Sequence, residues 1–182
     1  MRKQINSIFV YLFFIACWIF FFYFYPYHLH YKEQITLCVL QPDFLQTYLQ
    51  KPAFLTEICG DYLTQFFLWT GGGSSILTLT FVFTWLGLRI ALRKTGITSH
   101  VSLWALLPIV AEWALSCHLE YPLSMSLGLM CSVWAFSLST LSTSTHTRGI
   151  LHVVMLIILY CAVGAHFFAL SLIHISEPTR RT

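Results

Sequence analysis

Long apolar stretches alternate with short polar ones along most of this sequence. A helix needs about 20 apolar residues to cross about 30 Å of hydrocarbon. Five stretches approach or reach that length, and they predict spans at residues 8–25, 75–92, 99–119, 123–141 and 150–169. The pattern therefore predicts an all-α integral membrane protein with about five transmembrane helices. Pro108 is expected to kink the third helix, and Ser124 and Gly128 should let the fourth approach a neighbour closely.

The segment between the first two spans, residues 26–74, is more polar but keeps many leucines and aromatic residues. We expect it to form a helical outer loop that hugs the membrane. From Ala53 to Trp69 apolar residues recur at helical spacing, while the carboxylates lie mainly elsewhere around the helix. This predicts an interfacial amphipathic helix, followed by a flexible break at the three glycines 71–73.

Composition and charge support a membrane protein and set its orientation. Hydrophobic residues make up 57% of the chain and charged residues 9%, against about 25% charged in an average soluble domain. The net charge of +3, without a basic stripe, gives nucleic-acid binding almost no support. Cytoplasmic loops are enriched in Lys and Arg. A cytoplasmic N-terminus leaves only Lys32 and Lys51 outside and puts these residues inside: Arg2, Lys3, Arg89, Arg93, Lys94 and Arg148.

The last residues, 170–182, differ from the rest of the sequence. Leu170 to Arg180 resembles one translated reading frame of a transposase adapter that is used to build sequencing libraries. Segments of this kind are excluded from fold reasoning. We expect the natural sequence to stop near Ala169, so that residues 1–169 are a single membrane domain, truncated, whose span count is a minimum.

Four short segments of the outer loop carry a family resemblance. They read His28-Leu-His-Tyr-Lys-Glu33, Leu40-Gln-Pro-Asp-Phe-Leu45, Pro52-Ala-Phe-Leu55 and Asp61-Tyr-Leu-Thr-Gln-Phe-Phe67. This succession resembles an uncharacterised family of bacterial inner-membrane proteins. The resemblance implies location in the bacterial inner membrane and brings no activity. Where that family has two glycines after a proline, this chain has Ala53 and Phe54, so we expect the tight turn there to be altered.

Two histidines and a glutamate at the start of the outer loop are candidate metal ligands. His28 and His30 would place two imidazoles on one side of an extended chain, with Glu33 as a third ligand. The alternative is that both histidines are interfacial residues among tyrosines. No cofactor is predicted. Cys38 and Cys59 share the outer side and could form a disulfide in an oxidising compartment.

The candidate catalytic residues are carboxylates and one histidine. Glu112 lies inside the third predicted span, and a carboxylate within a membrane is costly enough to be a functional candidate. His166 lies at a similar depth in the fifth span, so the two could pair. The alternative is that Glu112 is hydrogen-bonded between helices. Asp43 and Asp61 belong to the outer loop, either as solvated surface charges or as acidic residues of an enzyme.

Two functions are consistent with this sequence. The first is an inner-membrane protein of unknown activity, structural or accessory in the cell envelope. The alternative is a membrane enzyme similar in layout to glycosyltransferases that use lipid-linked sugars at the outer face. A transporter is disfavoured because the spans hold a single carboxylate and no evident broken helix pair. The expected partners are the lipid bilayer and either a lipid-linked substrate or other membrane proteins.

Overall fold

The computed structural model describes residues 2–36, 42–94 and 100–140, together with residues 154, 155, 160, 163 and 164. In these parts of the chain the regular structure is helical throughout. The α-helices are α1 (Arg2–Ile19), α2 (Pro26–Ile35), α3 (Pro42–Leu49), α4 (Phe54–Thr64), α5 (Gly72–Lys94), α6 (Val101–Trp104), α7 (Leu106–Ser116) and α8 (Leu123–Thr140). A π-helical segment (Phe20–Phe24) continues α1, and a 3-10 segment (Gln65–Leu68) continues α4. The all-α class is therefore confirmed.

The first predicted helix ends at Tyr25, where the chain bends sharply. Tyr25 has φ −127° and ψ 26°, because the ring of Pro26 disfavours the helical conformation for the residue before it. Pro26 then occupies the start of α2, where its missing N–H costs nothing. The axes of the two helices differ by 75°. The expectation that the chain has no broken helix pair is therefore wrong.

The helix predicted over residues 99–119 is also divided. It breaks at Ala105 into the short α6 and the longer α7. Pro108 has no N–H to donate to the carbonyl of Trp104, four residues earlier, and its ring would clash with that carbonyl. The interruption accordingly lies just before the proline, so Pro108 divides this helix instead of only kinking it.

The last two predicted helices have different outcomes. The helix predicted over 123–141 is present as α8. The one over 150–169 lies mostly outside the described residues, as does the whole of 170–182. Gly164 has a φ of 75°, which lies in the left-handed region. A regular right-handed helix is therefore not continuous through residue 164.

Few of the described helices have the length of a membrane span. α5, with 23 residues and a mean hydropathy of 1.7, is the one described helix long and apolar enough to cross a bilayer by itself. The helices on either side of Tyr25 meet the same test only when taken together as a bent pair. α6 with α7, and α8, are apolar but shorter. Among the described residues one helix thus has spanning length, or two if the bent pair is counted as a single span.

α5 lies at the centre of the helix packing and contacts α1, α7 and α8. Phe21, Phe81 and Ile109 are fully buried where these helices meet. The rings of Phe14 and Trp85 pack edge to face at 5.8 Å between α1 and α5, a favoured geometry for aromatic pairs. α4 packs against α8.

α4 packs against its neighbours through small and polar residues. The predicted amphipathic helix is present, but its buried residues are small or polar: Thr56, Gly60 and Thr64. Leu55 and Tyr62 are instead 48% exposed. A Cβ added to Gly60 would lie 2.8 Å from the backbone nitrogen of Ser124. Ser124 therefore marks a close helix approach, as predicted, and α4 is the neighbour.

The turn before α4 keeps a conformation that normally favours glycine. Ala53 has a φ of 75°, and an L-residue in this region costs about 1–2 kcal/mol. This turn therefore contains a left-handed residue, at the position where the family resemblance leads us to expect glycine. Of the three glycines 71–73, only Gly71 has a positive φ, 81°, while Gly72 and Gly73 already belong to α5. The expected break is thus confined to Gly71.

Candidate functional site

Polar side chains meet where a short turn joins α7 to α8. α7 contributes Glu112, the turn contributes Tyr121, and the first turns of α8 contribute Ser126. Pro122 lies at the end of the turn and α8 begins directly after it, which brings the hydroxyl of Tyr121 back over the last turns of α7. Glu112 is only 4% exposed, so its carboxylate depends on protein groups for hydrogen bonds.

Two hydroxyl groups bind the carboxylate of Glu112. The Tyr121 hydroxyl donates to both carboxylate oxygens at 3.0 Å. The Ser126 hydroxyl donates to Oε1 at 2.5 Å. Burial and the neighbouring carboxylate raise the pKa of Tyr121 above its ordinary value, which keeps its hydroxyl protonated and available as a donor. Glu112 is therefore hydrogen-bonded between elements, as one of the two sequence readings expected.

Lys32 lies on the other side of Tyr121. Its ammonium donates to the carbonyl oxygen of Ser116 at 2.9 Å and to that of Tyr121 at 3.0 Å. Ser116 is the last residue of α7, and carbonyls at a helix C-terminus lack intrahelical donors and attract cations. Lys32 is 9% exposed. Tyr121 thus joins a buried cation to a buried carboxylate, through its carbonyl and its hydroxyl.

The free energy of unfolding should depend on pH through Lys32. Burial lowers the pKa of Lys32 from its ordinary 10.5 to about 8. Between these two pH values the unfolded chain holds a proton that the folded chain has released, so stability rises with pH across this window. The stability of the unchanged chain should rise by an amount on the order of 3 kcal/mol across this window. We expect Lys32→Met to remove this rise. Urea unfolding in detergent micelles from about pH 8 to about pH 10.5 measures it.

Lys51→Met is the matched control for this experiment, because Lys51 is exposed. This variant should keep the rise in stability that the unchanged chain has. A Lys32→Met chain whose stability still rises by the same amount with pH would contradict the assignment of the effect to Lys32.

A cavity of about 200 Å³ lies beside Lys32, where α2, α4, α5 and the turn between α7 and α8 meet. Lys32, Asp61 and Glu120 supply its charged lining. Its apolar wall is formed by Ile35, Phe67, Leu77, Leu119, Pro122 and Leu123. The cavity thus combines a buried cation, two carboxylates and an apolar wall.

The acidic candidates from the sequence have different positions relative to this cavity. Asp61 lines it and accepts a hydrogen bond from the Tyr48 hydroxyl at 2.5 Å. Glu112 does not line the cavity itself, but its hydrogen-bond partners Tyr121 and Ser126 do. Asp43 belongs to α3, but its side chain is outside the described part of the chain. His166 is also outside the described residues, so its pairing with Glu112 stays a prediction.

The candidate metal ligands lie on a helix instead of an extended segment. Successive helical residues are separated by about 100°, so His28 and His30 point to different sides of α2. His28 packs against the ring of Tyr25 at 4.9 Å, and burial lowers the pKa of its imidazole. Among the described residues no three His, Cys, Asp or Glu side chains are grouped closely enough for a metal ion. The structure thus does not bring His28, His30 and Glu33 together.

Only one cysteine of the predicted disulfide lies in the described part of the chain. Cys59 is an exposed residue of α4 and forms no disulfide with another described cysteine. Cys38 lies outside the residues that the structure describes. Their pairing stays a prediction.

One comparison with known proteins is informative. A family match extends over residues 1–182. The chain belongs to the family of unknown function DUF6057. Membership confirms the prediction of an uncharacterised family, without assigning this DUF6057 chain a compartment or an activity. No curated protein and no solved structure matches the chain.

Three residues of the site in this DUF6057 protein were not found from the sequence. The sequence indicates Lys32 only as an outer-loop charge, because a lysine in a polar segment is normally solvated. Tyr121 lies between the third and fourth predicted spans and Ser126 lies near the start of the fourth, and no motif singles them out. The one available indication was their short distance along the chain from Glu112, a carboxylate in an apolar run.

Proposed function

We propose that this chain is an integral protein of the bacterial inner membrane, an accessory component of the cell envelope that holds a small ligand in the cavity beside Lys32. The observation that carries the membrane part is the distribution of polar and apolar side chains over the helices. The observation that carries the ligand part is the cavity itself, with its buried cation.

The outward surface of the helices is apolar to an extent that water would disfavour. On α1 six large apolar side chains are between 40% and 64% exposed: Ile8, Phe9, Tyr11, Leu12, Ile15 and Ile19. Such residues follow one another along the helix, whereas soluble proteins rarely expose large contiguous apolar patches. Hydrocarbon chains are the solvent that suits this surface.

The contacts between helices are rich in small polar residues. On α8 the side chains of Ser126, Ser132, Ser137 and Ser139 are all at most 2% exposed. The Ser137 hydroxyl donates to the carbonyl of Gly87 on α5 at 2.7 Å. Small residues and hydroxyl-to-backbone bonds between helices are typical of membrane bundles. Together with the exposed apolar residues, this pattern supports a bilayer location.

The topology that we propose places the N-terminus in the cytoplasm and the cavity near the outer face. Arg93 and Lys94 end α5 and would lie in the cytoplasm, consistent with the enrichment of basic residues there. Glu120 and Tyr121, which follow the C-terminal end of α7, would then be at the outer side together with Lys32.

An alkaline-phosphatase fusion series tests this topology. The reporter is active only outside the cytoplasm, so we expect activity when it is fused after Lys51 and none when it is fused after Lys94. Carbonate extraction of membranes supplies the second measurement, since an integral protein stays in the pellet. The opposite activity pattern would refute the orientation, and release of the chain by carbonate would refute membrane integration.

A glycosyltransferase-like enzyme is the second candidate. The observation that favours it is the presence of Asp61 and Glu120 in the cavity, because carboxylates can act as a general base toward an acceptor hydroxyl. Incubation with a polyprenyl-phosphate sugar distinguishes the two candidates. Release of the polyprenyl phosphate, lost in Asp61→Asn, would favour the enzyme over the accessory protein.

A further inference from the structure

The cavity beside Lys32 has a cationic side and an anionic side. Lys32 gives two hydrogens to the carbonyls of Ser116 and Tyr121, and an ammonium has three. One hydrogen is therefore left for a further acceptor. Asp61 and Glu120 also line the cavity, so a ligand that enters it meets both a cation and two carboxylates.

A second observation at the cationic side indicates a missing hydrogen-bond partner. The hydroxyl oxygen of Ser116 is buried and has no hydrogen-bond partner among the described residues, and Ser116 is 1% exposed. Buried hydroxyls nearly always have a partner. Ser116 lines the cavity, and its carbonyl oxygen accepts a hydrogen bond from the ammonium of Lys32.

The rim of the cavity is apolar and exposed. Ile35 is 63% exposed and Leu119 is 47% exposed, and both line the cavity. The volume of about 200 Å³ equals that of several water molecules, at about 30 Å³ for each in the liquid. A compact polar group fits inside, and an apolar tail fits along the rim.

We propose that this cavity binds the headgroup of a zwitterionic phospholipid that carries a primary ammonium, of the phosphatidylethanolamine class. A phosphate oxygen accepts hydrogen bonds from Lys32 and Ser116. The ammonium of the headgroup donates to the carboxylates of Asp61 and Glu120. The acyl chains leave past Ile35 and Leu119 into the bilayer, a step that rests on the proposed membrane location.

The charges of the lining distinguish this headgroup from other common ones. Phosphatidylglycerol is an anion without a cationic group, so Asp61 and Glu120 would be left facing a like charge. Phosphatidylcholine has no N–H with which to hydrogen-bond the carboxylates. Burial also lowers the pKa of Lys32 to about 8, and an adjacent phosphate would favour its charged form.

Titration of the purified full chain in detergent micelles with short-chain lipids tests the proposal. The three lipids differ only in headgroup: phosphatidylethanolamine, phosphatidylcholine and phosphatidylglycerol. Binding is followed through the melting temperature and tryptophan fluorescence. We expect phosphatidylethanolamine to bind about tenfold more tightly than the other two, since hydrogen bonds to charged groups discriminate at about this level.

Two substitutions connect the preference to the cavity. Glu120→Gln removes one carboxylate at an exposed position of the turn, and Ser116→Ala removes the hydroxyl that has no partner. Each should weaken phosphatidylethanolamine binding about fivefold or more and leave the melting temperature without lipid no lower. Glu57→Gln, on α4 and not among the residues that line the cavity, is the matched control and should bind as the unchanged chain does.

Three outcomes would overturn the proposal. They are equal affinity for the three lipids, a preference for phosphatidylglycerol, and phosphatidylethanolamine binding that Glu120→Gln leaves unchanged. Glycerophosphoethanolamine, which has no acyl chains, separates the sources of the ligand, because binding as tight as that of the lipid would identify a soluble ligand and refute the lipid. Carbonate extraction is independent of these results, so a chain that stays in membranes but binds no lipid selectively would overturn this inference alone.

Discussion

Replacing Glu112 with alanine is expected to lower the free energy of unfolding by about 2–6 kcal/mol, because two hydroxyls lose their acceptor at about 1–3 kcal/mol each. The hydroxyls are those of Tyr121 and Ser126. Urea unfolding of the purified chain in micelles, followed by tryptophan fluorescence, measures the loss. Glu112→Gln keeps one acceptor oxygen and should lose less.

Glu57→Ala is the matched control for this effect. It removes a carboxylate from α4 that has no part in the buried cluster, and it should change stability by no more than about 0.5 kcal/mol. A double-mutant cycle with Tyr121→Phe should give a coupling energy above about 1 kcal/mol. Equal losses in Glu112→Ala and Glu57→Ala would contradict a structural role of the buried carboxylate. Normal membrane abundance of Glu112→Gln together with lost activity would show a functional role in addition.

The contact between α4 and α8 should be equally sensitive at Gly60. A Cβ at this position would lie 2.8 to 2.9 Å from the N, Cα and Cβ of Ser124, so one helix must move. Overpacking of this kind costs about 1–3 kcal/mol. Alanine has the better helix propensity by about 1 kcal/mol. A net loss of stability in Gly60→Ala, measured by the same unfolding experiment, therefore reports the clash.

Gly87 is a comparison site at which an added Cβ would meet a side chain instead of the backbone. A Cβ added there would lie 2.8 Å from a methyl of Val133, a side-chain atom that substitution can remove. We expect Val133→Ala to restore part of the stability lost in Gly87→Ala. Ser124→Gly should restore little in Gly60→Ala, because two of the three atoms in the way belong to the backbone. Equal rescue at both sites would contradict the close backbone approach at Gly60.

The sequence predicted the helices well because their causes are local. The helix that ends at Tyr25 stops where Pro26 forbids its continuation, and α8 begins directly after Pro122. Both proline effects act over one to four residues. For the third predicted helix the sequence indicates a kink, whereas the structure shows a division into α6 and α7. The cause, Pro108, was identified, but whether a proline kinks or divides a helix depends on the packing around it.

The candidate site was predicted in part. Glu112 could be found because a carboxylate is conspicuous in an apolar run, and Asp61 was named for its place in the outer loop. The metal site was predicted for an extended segment. Residues 26–35 instead form the helix α2, which separates His28 from His30. Lys32 was passed over because only the fold encloses it, through the C-terminus of α7 and the turn that follows.

The sequence by itself determined that this chain is built from helices and where several of them end, since periodicity, proline and glycine act within a few residues. Only the tertiary structure decided which faces are buried. α4 turns Gly60 inward because α8 offers Ser124 at the point of contact, and no property of α4 alone requires that. Likewise, Lys32 reaches carbonyls 84 and 89 residues away in the sequence. Contacts over such separations depend on how the helices pack, which local patterns do not encode.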